Sequence, residues 1–409
     1  MREGYQEHGL THPRLAREGD YIVSRARLAL STTPVDVGGG VRVSATFVPQ
    51  AAYTWGESTG TTPTVSDHPA LALYEGYASV GTEWYRFDAG RFAMNYGDAL
   101  IIGDLDWNES ARAFNGARLH LTPGEKPYFI DAFGTILLDG RATTQQAVSG
   151  DTYFYGLYAG FGPLVAQDID LDVYLLGLTT ERNRKVPLTN PMDTTLTALG
   201  RQKSGTVATL GSRFKGKAAA LDWRAEAGVQ FGSKAPAPTW AAPRPDTKTK
   251  LAYQLDGEVG LSPVKQFRVG IEGLLASGDD LASADKDEGY DEMYPTSHKW
   301  LGLMDVIGGR TNVSSAVLHL KVTPVEPLSI LVDGHYFARP ELGADGKHGG
   351  AGGEIDTNVA YTIGKGASLR GLYGVFLPNE DFWSKKAPNP ANAGTPLHYV
   401  EVQFGYVFK

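Results

Sequence analysis

The 409-residue sequence has no cysteine. Disulfide staples and cysteine-ligated centres are thereby excluded, and the absence fits an oxidising envelope compartment where stray thiols are a liability. Long apolar runs are missing too. No stretch approaches the roughly eighteen residues that a spanning helix needs, and the mean hydropathy is -0.23, so any crossing of a bilayer falls to strands. With a net charge of -8 and no basic run, the chain has no face for nucleic acid. The first twenty residues, MREGYQEHGLTHPRLAREGD, contain neither an apolar h-region nor a small-residue cleavage site, so they are not a secretory signal. Catalytic signatures are equally scarce. The GESTG run from Gly56 to Gly60 matches the nucleophile-elbow spelling, but its flanks offer no strand, sharp turn and helix to hold a serine. The GSRFKGK run from Gly211 to Lys217 approximates a P-loop, yet Ala218 stands where the metal-binding hydroxyl belongs, and the run reads as a hairpin turn. The nine histidines are scattered without zinc spacing. No enzyme, cofactor or metal is expected.

What the chain does contain is alternation. From Ile22 to Leu30, Arg25 and Arg27 interleave with Ser24, Ala26 and Leu28; from Val41 to Val48, Arg42 and Ser44 interleave with Val43 and Ala45. In ALALYEGYASV, Glu75 lies opposite Tyr74 and Gly76, and in FIDAFGTILL, Asp131 lies opposite Ile130 and Ala132. The QDIDLDVYLLGL segment sorts Asp168, Asp170, Asp172 and Tyr174 to one face and Ile169, Leu171, Val173 and Leu175 to the other. Period two means strands. Carboxylates on a lipid face would cost a few kcal/mol each near the bilayer midplane, so the polar faces must be wet. Later segments repeat the plan with Asp222, Arg224, Glu226, Gln254, Asp256, Glu258, Arg268, Glu272, His319, Asp333, His335, Glu354, Asp356 and Arg370 inward.

Short turns at VGTE, PGEK, GPLVA, FKGK, SPVKQ, TPVEP and GKG alternate with long connections near 92–112, 139–151, 179–203, 232–249, 277–313, 338–353 and 378–396. Short turns at one rim and long loops at the other predict an all-β, transmembrane antiparallel β-barrel over residues 21–409, with the short side periplasmic. About seventeen strands are legible, whereas bacterial single-chain barrels have an even number. One further strand and a signal peptide upstream of Met1 would give about eighteen and leave residues 1–20 as an extracellular loop; a short strand within residues 1–20 is the alternative.

The run from Trp84 to Thr122, WYRFDAGRFAMNYGDALIIGDLDWNESARAFNGARLHLT, places a long polar connection between two amphipathic strands. It resembles the GR…YGD…GDLDW…GARL run of the alginate-export family of outer-membrane β-barrels. The run LLASGDD…YDEMYPTSHKWLGLMDVIGGRTN, residues 274–312, resembles that family's SGD…PT.H…G.MD motif. The resemblance implies a barrel of about eighteen strands in a Gram-negative outer membrane, forming a passive channel for an anionic exopolysaccharide. The alternative reading is a porin-like channel for uptake of small or oligomeric solutes. The expected partners are outer-membrane lipid and lipopolysaccharide, the barrel-assembly machinery, which the aromatic last strand HYVEVQFGYVFK would address, and a polysaccharide or other polar solute.

Two residue sets are candidates for the pathway. Wet-face Arg25, Arg27, Arg42, Arg86, Arg118, Arg224, Arg268 and Arg370 could form an electropositive ladder for carboxylates. Alternatively they pair with Glu75, Asp88, Asp131, Asp222, Glu226 and Glu272 into networks that hold the wall rigid. In the loops, Arg91, Tyr96, Asp98, Asp104, Asp106, Trp107, Arg112, His298, Lys299 and Asp305 could gate the mouth or hold a cation, or merely fold the loops inward against the barrel wall.

Overall fold

A computed structural model describes residues 22–55, 70–108, 111–124, 128–138, 151–162, 169–181, 185–187, 199–201, 204–235, 247–280, 282–283, 285–342, 349–383 and 393–408. The first stave is made in series by β1 (Ile22–Arg27), β2 (Leu30–Ser31) and β3 (Val35–Gly38), all paired with β4 (Val41–Trp55). Then come β5 (Ala70–Gly81), β6 (Tyr85–Phe92), β7 (Phe114–Leu121), β8 (Tyr128–Leu138), β9 (Thr152–Phe161) and β10 (Ile169–Thr180). A small separate hairpin, β11 (Lys185–Pro187) and β12 (Leu199–Arg201), precedes β13 (Gly205–Ala218), β14 (Leu221–Lys234), β15 (Lys248–Val264) and β16 (Phe267–Ala276). After the two-residue β17 (Lys286–Asp287), the wall resumes with β18 (Val313–Val325), β19 (Leu328–Arg339), β20 (Gly349–Gly364) and β21 (Ala367–Pro378), and ends with β22 (Leu397–Tyr406). A single turn of helix, α1 (Glu380–Trp383), lies between β21 and β22.

Each long strand pairs antiparallel with the next along the chain, β10 with β13 and β16 with β18 included, so seventeen staves form one up-and-down sheet. Among the described residues, the outer edges of the first stave and of β22 are unpaired. Residues 1–21, with any extra strand there, lie outside the described residues, as do parts of several long connections.

Why these segments are strands is visible in their two faces. Along β14, Leu221, Ala225, Val229 and Phe231 are exposed outward while Glu226 and Gln230 are buried inward. Along β22, Val400, Val402, Phe404 and Tyr406 point outward, Phe404 at 66% exposure. An apolar outer band and a polar interior is what a membrane-spanning barrel requires, since lipid offers no partner to a charge. No helix of the described residues is long and apolar enough to cross a membrane.

The interior is not an open tube. Apolar side chains from the connections 93–113 and 277–312 pack on inward-facing wall residues in two clusters. In one, Leu100, Trp300, Leu301 and Ile307 meet Phe337, Phe376 and Trp383. In the other, Met94, Tyr96, Ile101 and Met293 meet Phe114, Phe133, Phe154 and Tyr158. Each fully buried large side chain contributes about 1.5–3 kcal/mol, so the loops are seated from within.

Three expectations need correction. GSRFKGK is not a turn: it belongs to β13, and the turn falls at Ala219–Ala220, with Ala219 at a positive φ of 51°. Tyr74 and Glu75 do not lie on opposite faces. A register shift places an extra residue of β5 at Tyr74, a β-bulge, so the Tyr74 ring meets Arg27 and the Glu75 carboxylate accepts the Ala93 N–H, both inside. Arg91 is not a loop residue: it sits in β6 on the face opposite Asp88 and Phe92, donating to the Leu73 carbonyl and to Asn115.

Candidate functional site

The site is the constriction made by the two inward connections and the wall that holds them. The connections join directly, with Gly103 N–H donating to the Tyr294 carbonyl (2.7 Å), Tyr294 N–H to Ile101 (3.0 Å) and Thr296 N–H to Ala99 (2.9 Å). This approach requires glycine at 103, because a Cβ there would stand 2.2 Å from the Thr296 hydroxyl. Trp107 stacks face to face on His298 at 4.0 Å, and His298 Nδ1 meets Asp305 at 3.2 Å. Arg112 donates to the carbonyls of Gly103, Tyr294 and Pro295 and lies beside the Tyr294 ring. Burial lowers the Arg112 pKa and pushes the Tyr294 phenol up to about 12, the latter opposed by Arg112. Arg310 ties Glu292 (3.3 Å) to the Leu100 carbonyl. Of the six non-glycine residues at positive φ among the described residues, Ala99, Leu105, Ala111, Asp305 and Asn312 lie in these two connections. Backbone strain of this kind persists where surrounding structure over-determines it.

Polar pins fix the connections to opposite parts of the wall. Asp98 meets Arg213 of β13 at 2.8 Å and Lys215 at 3.4 Å, and Lys299 donates to the Asp98 carbonyl at 3.4 Å. Burial works against the Asp98 carboxylate, but the charge and hydrogen bond of Arg213, with Lys215 and Lys299, outweigh it and hold its pKa below the usual value. Burial lowers the Lys299 pKa, opposed by Asp98. On the other side Asp106 meets Arg27 at 2.5 Å and Arg25 at 3.3 Å. Asp104 accepts Arg112 N–H on its carbonyl at 2.5 Å. The Tyr96 hydroxyl donates to Asp131 at 2.5 Å, and Asp131 also meets His120. From below, Glu354 and Asp356 of β20 accept the backbone N–H groups of Met304 (2.9 Å) and Leu303 (3.0 Å).

The wall arginines separate into two kinds. Arg224 binds Asp256, Glu258 (2.9 Å) and Glu272 (2.5 Å) and lies over the Trp300 ring at 4.2 Å. Arg268 binds Asp222 (2.5 Å) and Glu258 (2.7 Å), and Arg118 binds Asp88 (2.8 Å). Arg370 donates to the Asn358 amide oxygen at 3.1 Å, with no carboxylate partner among the described residues. Arg86 touches Asp88 at 3.0 Å and Arg42 lies 3.8 Å from Glu83, but their side chains stay 50% and 56% exposed. Glu226 accepts the Tyr174 hydroxyl at 3.2 Å. Carboxylates are mostly under cover: Asp88, Asp131, Asp256 and Glu272 are buried, whereas Arg42, Arg86, Lys215 and Lys299 reach solvent. Asp170 is an exposed exception, registered opposite Lys215.

Glu258, Glu272 and His319 bring three possible ligand atoms together. They do not suit a cation, because Arg224 and Arg268 already hold both carboxylates and His319 bridges Glu272 (3.2 Å) to Asp333 (2.7 Å).

Sequence reasoning missed Arg213, Lys215, Glu292 and Arg310. Arg213 and Lys215 are alternate residues of β13, a period-two signal hidden inside a glycine-rich run taken for a turn. Glu292 and Arg310 lie in a loop, where periodicity carries no information.

Several solved structures share this fold. OpdK of Pseudomonas aeruginosa with vanillate aligns at 12% identity and a TM-score of 0.62, covering 94% of this chain and 95% of that one. OccAB2 of Acinetobacter baumannii aligns at 11% identity and a TM-score of 0.60, covering 94% and 91%. OpdL of Pseudomonas aeruginosa aligns at 13% identity and a TM-score of 0.59, covering 95% and 94%. No curated protein matches the sequence. The model of the alginate export family matches residues 9–354, and with a transmembrane-type sheet enclosing two pinned inward connections, the chain belongs to the alginate-export family of outer-membrane β-barrels.

Proposed function

We propose that this outer-membrane channel passes an anionic exopolysaccharide outward across the outer membrane of a Gram-negative bacterium, without catalysing a reaction. The observation that carries the reading is the unequal exposure of charge inside the barrel. Most wall carboxylates are buried, and Asp88, Asp172, Asp256 and Glu272 are held by their own arginines, while Arg42, Arg86 and Lys215 remain accessible and Lys299 is partly so. A solute in the lumen therefore meets cationic groups first, despite a chain charge of -8. Weak, repeated contacts of this kind attract carboxylates and still let them go. The family membership supports a polymer, and the pinned connections support a narrow pathway that admits an extended chain and excludes folded ones.

Uptake of small or oligomeric solutes is the second reading, favoured by the fold it shares with OpdK, whose structure contains vanillate. In either case the apolar outer band is proposed to contact lipid and lipopolysaccharide, and the aromatic β22 to engage the barrel-assembly machinery. The test is ion selectivity of the refolded protein in a planar bilayer, followed by titration with a polyuronate. Anion preference with polymer-induced block is expected; cation preference, or no block, would overturn the export reading in favour of solute uptake.

A further inference from the structure

Glu354 and Asp356 occupy successive inward positions on β20 and are 0% and 1% exposed. Neither is in contact with a lysine or arginine among the described residues. Among the other buried carboxylates of the wall, Asp88, Asp172 and Glu272 each meet a guanidinium, and Asp131 and Glu226 each accept a tyrosine hydroxyl. One oxygen of each accepts a backbone N–H of the inward connection, Met304 to Glu354 and Leu303 to Asp356. One oxygen of each, Glu354 Oε2 and Asp356 Oδ1, has no partner. The two carboxyl groups are two residues apart on one face of β20 and interact directly with one another. Two buried like charges side by side with two orphaned acceptors is a costly arrangement.

What could complete it follows from what surrounds it. Asp305 and His298 face the pair from the connection, and Asp333 and His335 from β19. His335 Nε2 stands 3.6 Å from Asp356, too far to be a good donor. On β21 the facing position is Gly374, where a Cβ would fall 2.9 Å from Asp356 Oδ1, and Arg370 is engaged with Asn358. Calcium takes about six to eight oxygens, and only two are free here in a space closed to water. One proton, by contrast, satisfies both orphans at once, as a carboxyl donating to a carboxylate.

We propose that Glu354 and Asp356 share a single proton that latches the connection 300–305 across the lumen, so that losing this proton releases the connection and widens the channel. With the proton in place, the pair carries one charge, which the Leu303 and Met304 N–H groups stabilise. Without it, two adjacent buried charges repel, and the relief is for the connection to withdraw and admit water. The inference does not depend on which solute the channel carries.

The experiment is single-channel recording of the full chain from acid to alkaline pH, for the native protein, Glu354→Gln and Asp356→Asn. One proton linked to opening makes the open-to-closed ratio rise by about tenfold per pH unit above the transition. In Glu354→Gln the amide N–H takes the place of the shared proton, so the connection is expected to stay seated at all pH values. A native channel whose opening ignores pH would overturn the proposal. So would either variant keeping the native pH dependence, or closure that follows added calcium in place of pH. Should one variant fail to fold, the native slope and the other variant still decide.

Discussion

Gly302→Ala tests how tightly the connection is seated. Gly302 has φ +87°, a backbone region in which an L side chain costs about 1–2 kcal/mol. A Cβ there would lie 2.3 Å from Glu354 Oε1 and 2.5 Å from its Cδ, well inside contact distance. The carboxylate, walled in at 0% exposure, has to shift. Its bond from Met304 N–H, 2.9 Å long, is then lost, at about 1.5–3 kcal/mol for a bond to a charged group. The combined local cost is about 3–5 kcal/mol, and with about 1.4 kcal/mol per tenfold, the displaced form gains by roughly two to three and a half orders of magnitude. The wall strands do not share this cost, so the barrel is expected to fold and insert while the connection loosens. Single-channel conductance should become larger or noisier, and trypsin should reach Lys299 sooner. Gly273→Ala is the control, since nothing lies within 4 Å of the position of its Cβ. If Gly302→Ala conducts like the native channel and protects Lys299 equally well, the seat is not held where the geometry places it.

Two further outcomes follow from the wall. Replacing Arg224 by Met removes the common partner of Asp256, Glu258 and Glu272. It should lower stability by about 3–5 kcal/mol, as for a buried ion pair broken on one side. Arg224→Lys should recover only part of this, because an ammonium lacks the planar fork that reaches three carboxylates. The midpoint of urea unfolding in detergent or lipid reads both. For Asp98, the folded pKa lies below the ordinary value of about 3.9. Its contribution is therefore fully present above that value and is lost as pH falls through the folded one. Acid below about pH 4 should loosen the connection 93–113 in the native protein, by protease access near Asp98. Asp98→Asn should already be loosened at neutral pH and respond little to acid.

The fold was legible because a strand between lipid and water writes itself in the sequence: each step from Ile169 to Leu175 changes face, and each long connection alternates with a short turn. Legibility failed where one of these rules was locally suspended. The bulge at Tyr74 shifted the period by one residue, and the small residues of GSRFKGK imitated a turn inside a strand. The wall half of the site was also readable, since Asp222, Arg224, Glu226, Arg268 and Glu272 are inward by parity alone. Which arginine meets which carboxylate was not, because Arg224 and Glu272 are 48 residues apart and meet only through the pairing of β14 with β15 and β15 with β16. The loop half was readable as motifs without geometry. Trp107 and His298 stood out in two separate runs, but nothing in either run says that the rings stack.

The two kinds of contact that hold the connections also divide the work of a channel. Apolar seating through Leu100, Trp300 and Ile307 is non-directional: it keeps the connections inside without fixing their position to a fraction of an ångström. Position is fixed by the polar pins, Asp98 to Arg213, Asp106 to Arg27, and the Leu303 and Met304 N–H groups to β20. These pins differ in exposure. The Asp106 side chain is 49% accessible, so its pair with Arg27 is worth roughly 1 kcal/mol or less and exchanges easily with salt. The β20 pair is sealed from water and cannot be screened. A rise in ionic strength should therefore free the Asp106 side of the constriction while leaving residues 300–305 in place, and only a change of protonation reaches the deeper contact. Two connections joined back to back, one loosened at Asp106 by ions and the other, on the proposal above, released by loss of a proton, give a constriction whose parts can open separately while the wall remains intact.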